Sequence, residues 1–444
     1  MTNPLSKTVA GLAASPYAIV HPEGFPSWLK AGVRRGVLLT MAAAPLVVPA
    51  LAMAADAEWN GSISHSFTTP GNWTPGAMPT NGVATFGTTG SGEVTIDGGV
   101  QINGFVFTGD AGAYTFNSLP GQYVILNSGG FVTASGSGAN SQTFITPIAL
   151  RGSIAFTNNY TNAGKILTFS GNLFGNINTG TILTLGGSNT GANEVSGPIT
   201  DTKALSLTVD LTKSGTGNWI VSGANTYSGA TQVNGGLLLV TGTHTGGSSY
   251  TIDGGFLGGA GGKISVTGGI TMTDSAGSGI NVSGVGQGAV GSQNAMTGPG
   301  TLELALGSSS LDLSNAKQGS LIFALAAPEA SDLVKLSSGT LDIGFGVIGL
   351  STFQFDTSNW GVDANGIYTL ISTSSSNAIV GSLATDDLTG ILEGHNVSLS
   401  IGVDGSGFQT LQLNVEAIPE PATVEAVAAG FALLAATRIP RKRP

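Results

Sequence analysis

The chain has 444 residues, of which 70 are Gly, none is Cys and only 9% are charged. Disulfides are excluded, and four His are thin material for a metal site. Eight of the 15 basic residues lie before residue 55 or after residue 437, so the body between them holds 7 basic against 22 acidic residues and a net charge near −15, which repels nucleic acid phosphates.

Gly at about twice its usual share would suggest low complexity. Disordered chains, however, are rich in charge and poor in β-branched residues. Here overall hydropathy is positive, and Thr, Val, Ile and Leu recur in short runs. That combination predicts an all-β protein of many short strands joined by tight turns.

The N-terminal region contains "KAGVRRGVLLTMAAAPLVVPALAMAADAEW". Lys30, Arg34 and Arg35 form a positive region ahead of an apolar stretch at 36–51, which Pro45 and Pro49 interrupt. Ala52-Met53-Ala54 supplies the small residues that signal peptidase requires. Residues 1–54 therefore read as a signal peptide with a long leader, cleaved after Ala54. The prolines and the Ala-x-Ala ending count against the alternative, an N-terminal anchor.

Residues 55–90 differ in character. Trp59 and Trp73 lie near proline turns at Pro75 and Pro79. An exposed sheet end must be covered or it pairs with other chains, so this segment is predicted to be an N-terminal cap with the indoles packed inward. The competing expectation is a sugar-stacking platform on the indole faces.

Residues 91–365 carry repeated strand-and-turn patterns, at 114–116, 123–126, 166–169, 182–185, 264–266 and 270–272 among others. The most informative stretch is "LTKSGTGNWIVSGANTYSGATQVNGGLLLVTG", residues 211–242. Strands are predicted at 219–221, 231–233 and 237–240. Ser222-Gly223, Ser228-Gly229 and Asn234-Gly235-Gly236 connect them with residues tolerant of positive φ. Strands this short cannot stand as hairpins, but stacked as coils of a solenoid they pair with equivalents above and below. At roughly 20–25 residues per coil, the body would hold about 15 coils.

The residues Leu211-Thr212-Lys213-Ser214-Gly215-Thr216-Gly217, then Ser222-Gly223-Ala224-Asn225-Thr226-Tyr227-Ser228-Gly229, with Thr231, Val233, Asn234 and Gly236, resemble the autotransporter-associated β-strand repeat. The resemblance implies a right-handed parallel β-helix. Autotransporters end in a membrane β-barrel of alternating amphipathic strands. Such a barrel takes a few hundred residues, and this chain is expected to have no room for one and to end in a different signal.

Sequence motifs for chemistry are few. His65, His244 and His395 sit in unrelated contexts, and neither Gly-x-Ser-x-Gly nor His-Glu-x-x-His occurs. Residues 286–291 formally match a dinucleotide fingerprint but lack a βαβ context. The glycines at 258–262 lack a calcium-ligating Asp and read as a turn. Asp386-Asp387 with His395 is the one acidic pair followed by a His. Adjacent strand residues point to opposite faces, so the pair reads as a solvated loop.

Residues 366–417 contain strands at 368–371, 397–401 and 410–415 and are predicted to cap the far end. Residues 418–444 close the chain. Pro419-Glu420-Pro421 is rigid and cannot join a helix or sheet. The apolar run 422–437, broken by Glu425, would make a helix of roughly 24 Å at 1.5 Å per residue, slightly short of a hydrocarbon core. Arg438, Arg441, Lys442 and Arg443 would hold its end on the cytoplasmic side.

Triplet, apolar run and basic end together resemble a PEP-CTERM sorting signal. Glu425 and Ile439-Pro440 depart from the pattern. The resemblance implies transient insertion in the inner membrane of a Gram-negative bacterium, processing by an exosortase, and export to the cell surface or an exopolysaccharide matrix.

The reading is a secreted, non-enzymatic, structural or adhesin-like β-helix protein with no cofactor and no nucleic acid partner. Its partners would be signal peptidase and exosortase during export, then exopolysaccharide. The alternative is a carbohydrate-binding or polysaccharide-degrading β-helix protein.

Overall fold

The computed structural model describes residues 55–418, apart from 138–139, 177–179, 203–206, 285–298 and 362–363. Among the described residues the chain is all-β, with only single 3-10 turns at Pro70–Asn72 and Leu350–Thr352. The strands form one 24-stranded and one 11-stranded sheet, and nearly all their pairings are parallel. This arrangement is consistent with a β-helix. No helix among the described residues is long and apolar enough to cross a membrane. The expected membrane helix at 422–437 and the signal peptide lie outside them.

Each coil contributes one short strand to the smaller sheet and one or two to the larger. Asn218–Val221 is followed by Ala224–Asn225 and Thr231–Val233. The next coil repeats this with Leu237–Val240, Thr243–His244 and Tyr250–Ile252. Equivalent strands pair in register: Trp219 with Leu238, Asn225 with His244, and Gln232 with Thr251. A strand of three residues gains stability here because both its edges are occupied by neighbouring coils.

The coils are fewer and longer than the expected 15. The smaller sheet has eleven strands, from Gly92–Ile96 to Phe353–Asp356, one for each coil. Register partners lie 19 residues apart at Asn218 and Leu237, 26 apart at Asn193 and Trp219, and 41 apart at Ile280 and Leu321. Corner length therefore varies while the sheet columns stay in register. Several strands are also much longer than four residues, such as Val124–Gly136 and Leu333–Phe345.

Inward-facing residues form one continuous core. Period-two alternation puts Phe116, Phe144 and Phe169 on successive coils, with ring centroids 4.5 and 4.9 Å apart and planes nearly parallel. Those separations match the spacing of neighbouring strands, so the rings stack as a ladder up the interior. Beyond Trp219 the ladder becomes aliphatic, with Leu238, Leu257 and Ile280.

Trp59 and Trp73 are both buried, at 0% and 1% exposure, and their indoles meet edge to face at 5.0 Å. Phe67 and Phe86 complete the cluster. Trp59 Nε1 donates to the Gly90 carbonyl and Trp73 Nε1 to that of Phe67. With both faces covered, neither indole can serve as a sugar platform. At the other end, His395–Val403 and Gln409–Ala417 pair antiparallel, and Gln409–Ala417 also pairs antiparallel with Gly366–Ser372.

Candidate functional site

The processing residues of the sequence reading, Ala52, Ala54, Pro419, Glu420 and Pro421, and the basic residues Arg438, Arg441, Lys442 and Arg443, all lie outside the described residues. So does the glycine pattern at 286–291. Among the described residues, no group of three or more His, Cys, Asp or Glu is placed to hold a metal ion.

The most unusual chemistry lies in the repeat at 211–242. Val209–Lys213 alternates, with Val209, Leu211 and Lys213 all pointing inward. Lys213 is fully buried. In its protonated form, Nζ donates to the carbonyls of Ser214 at 2.8 Å, Gly215 at 3.0 Å and Gly235 at 2.9 Å, which uses all three of its protons. Lys213 thus pins the corner of its own coil to the corner of the next. Burial pulls the ammonium down to about 7. An amine with that value could act as a nucleophile in a cleft, but this one is walled in and works as a brace.

Gly236 completes the corner. Its φ is +61°, and a Cβ there would stand 2.3 Å from the Gly217 carbonyl and 2.8 Å from Lys213 Nζ. Of the two glycines expected to turn the chain, only Gly236 has positive φ. The sequence reading missed this lysine; the signal that could have found it is the alternation over 209–213, which sets Lys213 in phase with Val209 and Leu211.

One coil later the register replaces Asn225 with His244. The His244 ring stacks on Tyr227 at 3.9 Å. Nε2 lies 2.9 Å from the Tyr227 carbonyl and must donate, so Nδ1 accepts from the Tyr250 hydroxyl at 2.7 Å. Burial holds the imidazole below its ordinary range, which favours the neutral ring. Sequence separates these residues from any other His, and the structure makes them a packed internal network rather than a cleft.

The acidic pair does not form a site. Asp386 is exposed. Asp387 accepts from the Ser351 backbone N–H at 2.9 Å and from the Ser351 hydroxyl, holding one loop end to another. His395 contacts the Glu393 carbonyl and the edge of Trp360. His65 is exposed. Of the glycines at 258–262, Gly258 ends the strand Phe256–Gly258 and the following residues turn the chain, with Gly259 and Gly261 at positive φ.

Comparison with curated proteins finds no match for this chain. Residues 211–240 match the Passenger-associated-transport-repeat family. The chain thus carries an autotransporter-associated repeat, and that repeat coincides with the coil that Lys213 and Gly236 brace.

Proposed function

We propose that this chain is a secreted or cell-surface protein of a Gram-negative bacterium, built as a right-handed parallel β-helix and serving as a structural or adhesin-like element of the extracellular polysaccharide matrix. The observation that carries the reading is the passenger repeat at 211–240, which forms part of the parallel stack itself. Passenger repeats suggest an exported protein. A body with 22 acidic and 7 basic residues and no Cys suits an exposed rod held by backbone pairing. The role is non-enzymatic. His244 and Lys213 are enclosed, and Asp387 is spent on Ser351.

Export in this reading uses both ends. Signal peptidase cuts after Ala54. The run 422–437 then pauses in the inner membrane, held by Arg438, Arg441, Lys442 and Arg443, while an exosortase acts at Pro419-Glu420-Pro421. The test is replacement of Pro419, Glu420 and Pro421 together by Ala in the native host. The protein should shift from the surface fraction to the inner membrane, with the folded body intact. Surface delivery at the parent level would reject the sorting route.

A further inference from the structure

The corner between Thr231–Val233 and Leu237–Val240 carries a chemistry that the Lys213 brace does not use. In an Asn-Gly pair the glycine nitrogen can attack the asparagine side-chain amide, because glycine has no side chain to crowd the approach. The chain has five such pairs, beginning at Asn60, Asn81, Asn103, Asn234 and Asn365. Attack needs an unrestrained side-chain amide and a peptide unit that can rotate until the following nitrogen meets Cγ.

Four of the five pairs are restrained. Asn60 Oδ1 accepts from the Ser62 N–H at 2.9 Å, and the Gly61 N–H donates to the Asn72 carbonyl. Asn81 Oδ1 accepts from both Gln101 and Asn127, and Asn103 Oδ1 accepts from Asn127. Asn103 and Gly104 also lie within the strand Val100–Phe107. Asn365 is exposed, but Gly366 opens the strand Gly366–Ser372 and is paired with Val415.

Asn234 differs on each count. Its side chain is exposed and has no hydrogen bond among the described residues. Its backbone N–H is fixed on the Lys213 carbonyl at 2.8 Å, and the Gly235 carbonyl accepts from Lys213 Nζ at 2.9 Å. Between these two anchors, the Asn234 carbonyl and the Gly235 N–H have no partner among the described residues. The peptide unit that joins them can therefore turn without breaking a hydrogen bond. Its nitrogen is bordered by Gly255 of the next coil, where a Cβ would stand 2.8 Å away, so no side chain covers it from there.

We propose that Asn234 is a site of spontaneous deamidation. The Gly235 nitrogen gives its proton to water or hydroxide and attacks Asn234 Cγ. A C–N bond forms, the Cγ–Nδ2 bond breaks and ammonia leaves, which closes a five-membered succinimide. Water then opens the ring at either carbonyl. One opening leaves Asp at this position. The other leaves isoaspartate, with the main chain rerouted through the side chain and one methylene longer. Both products put a new carboxylate in the segment that matches the passenger repeat, and isoaspartate also lengthens the span between the two Lys213 anchors. This inference goes beyond the export reading and does not depend on it, because the reaction is followed on purified protein whatever its route to the surface.

The test is prolonged incubation of the purified protein at mildly alkaline pH, followed by peptide mapping with mass spectrometry. Asn234 should convert at least about tenfold faster than each of the other four asparagines, which must first break hydrogen bonds or strand pairing. In concentrated urea those restraints are gone, and the five rates should agree within about threefold. Brief hydroxylamine treatment of the aged, folded protein at neutral pH should cut between Asn234 and Gly235, where the succinimide forms. Gly235→Ala crowds the nitrogen and should slow conversion by at least about tenfold. Asn234→Gln changes only an exposed side chain, so it keeps the test valid if Gly235→Ala does not fold, and it should abolish the hydroxylamine cut. The proposal is overturned if Asn234 converts no faster than the other four in the folded protein, or if the cut persists in Asn234→Gln.

Discussion

Replacing Gly236 with Val should destabilise the protein by about 2–6 kcal/mol, combining left-handed strain with overpacking. Gly236 has φ of +61°, where a β-branched residue is strained. Any Cβ would also collide with the Gly217 and Gly215 carbonyls and with Lys213 Nζ, so backbone on two coils must move. Gly235→Val is the informative contrast. Gly235 lacks positive φ, and its Cβ would meet only the Gly215 carbonyl, at 3.0 Å. It should cost less than half as much. Coils contact mainly their neighbours, so the damage begins locally. Limited proteolysis of Gly236→Val should cut near 230–240 while distant coils survive. Equal protease resistance in the parent and Gly236→Val would mean this corner does not turn as described.

The second large effect is electrostatic. Burial depresses the Lys213 ammonium from its ordinary value to about 7 in the folded protein. Between about pH 7 and pH 10.4 the unfolded chain therefore binds a proton there that the folded chain does not. Stability from this group is greatest above the unfolded value and is lost as pH falls towards 7. It should rise by up to about 1.4 kcal/mol for each pH unit above 7. Lys213→Met should remove that slope. Tyr114, Tyr160 and Tyr227 are pushed up to about 12 by burial and lose stability only above about pH 10. Urea unfolding of parent and variant from pH 7 to 9.5 thus isolates the lysine. Parallel stability curves for the two proteins would mean that the three carbonyls keep the buried ammonium charged and its value is not depressed.

Much of the architecture was legible because a stacked strand needs little context. The strands at 231–233 and 237–240 fall where alternation and glycine turns placed them. Coil number was not legible. Successive register partners in the smaller sheet lie from 19 to 41 residues apart, and sheet register constrains only the strands. Repeated letters need not mark repeated positions. Thr95-Ile96-Asp97-Gly98-Gly99 ends a strand of the smaller sheet, whereas Thr251-Ile252-Asp253-Gly254-Gly255 ends one of the larger. The phrase marks a turn after a strand, where Asp97 takes Ser66 and Thr68 and Asp253 takes Thr273 and Ser275. It does not mark an equivalent coil position.

The chemistry was less legible than the fold. His244 gains its role from Tyr227 and Tyr250, which only stacking brings to it. Lys213 was also missed, although its signal was present. It belongs to an alternating strand, and its inward direction follows from Val209 and Leu211 alone.

Intact-mass analysis of the protein recovered from the surface of its native cells tests the export account most directly. The account predicts one species that begins near Ala55 and ends near Pro419, without the leader and without Arg441-Lys442-Arg443. A surface species that retains those basic residues would contradict it.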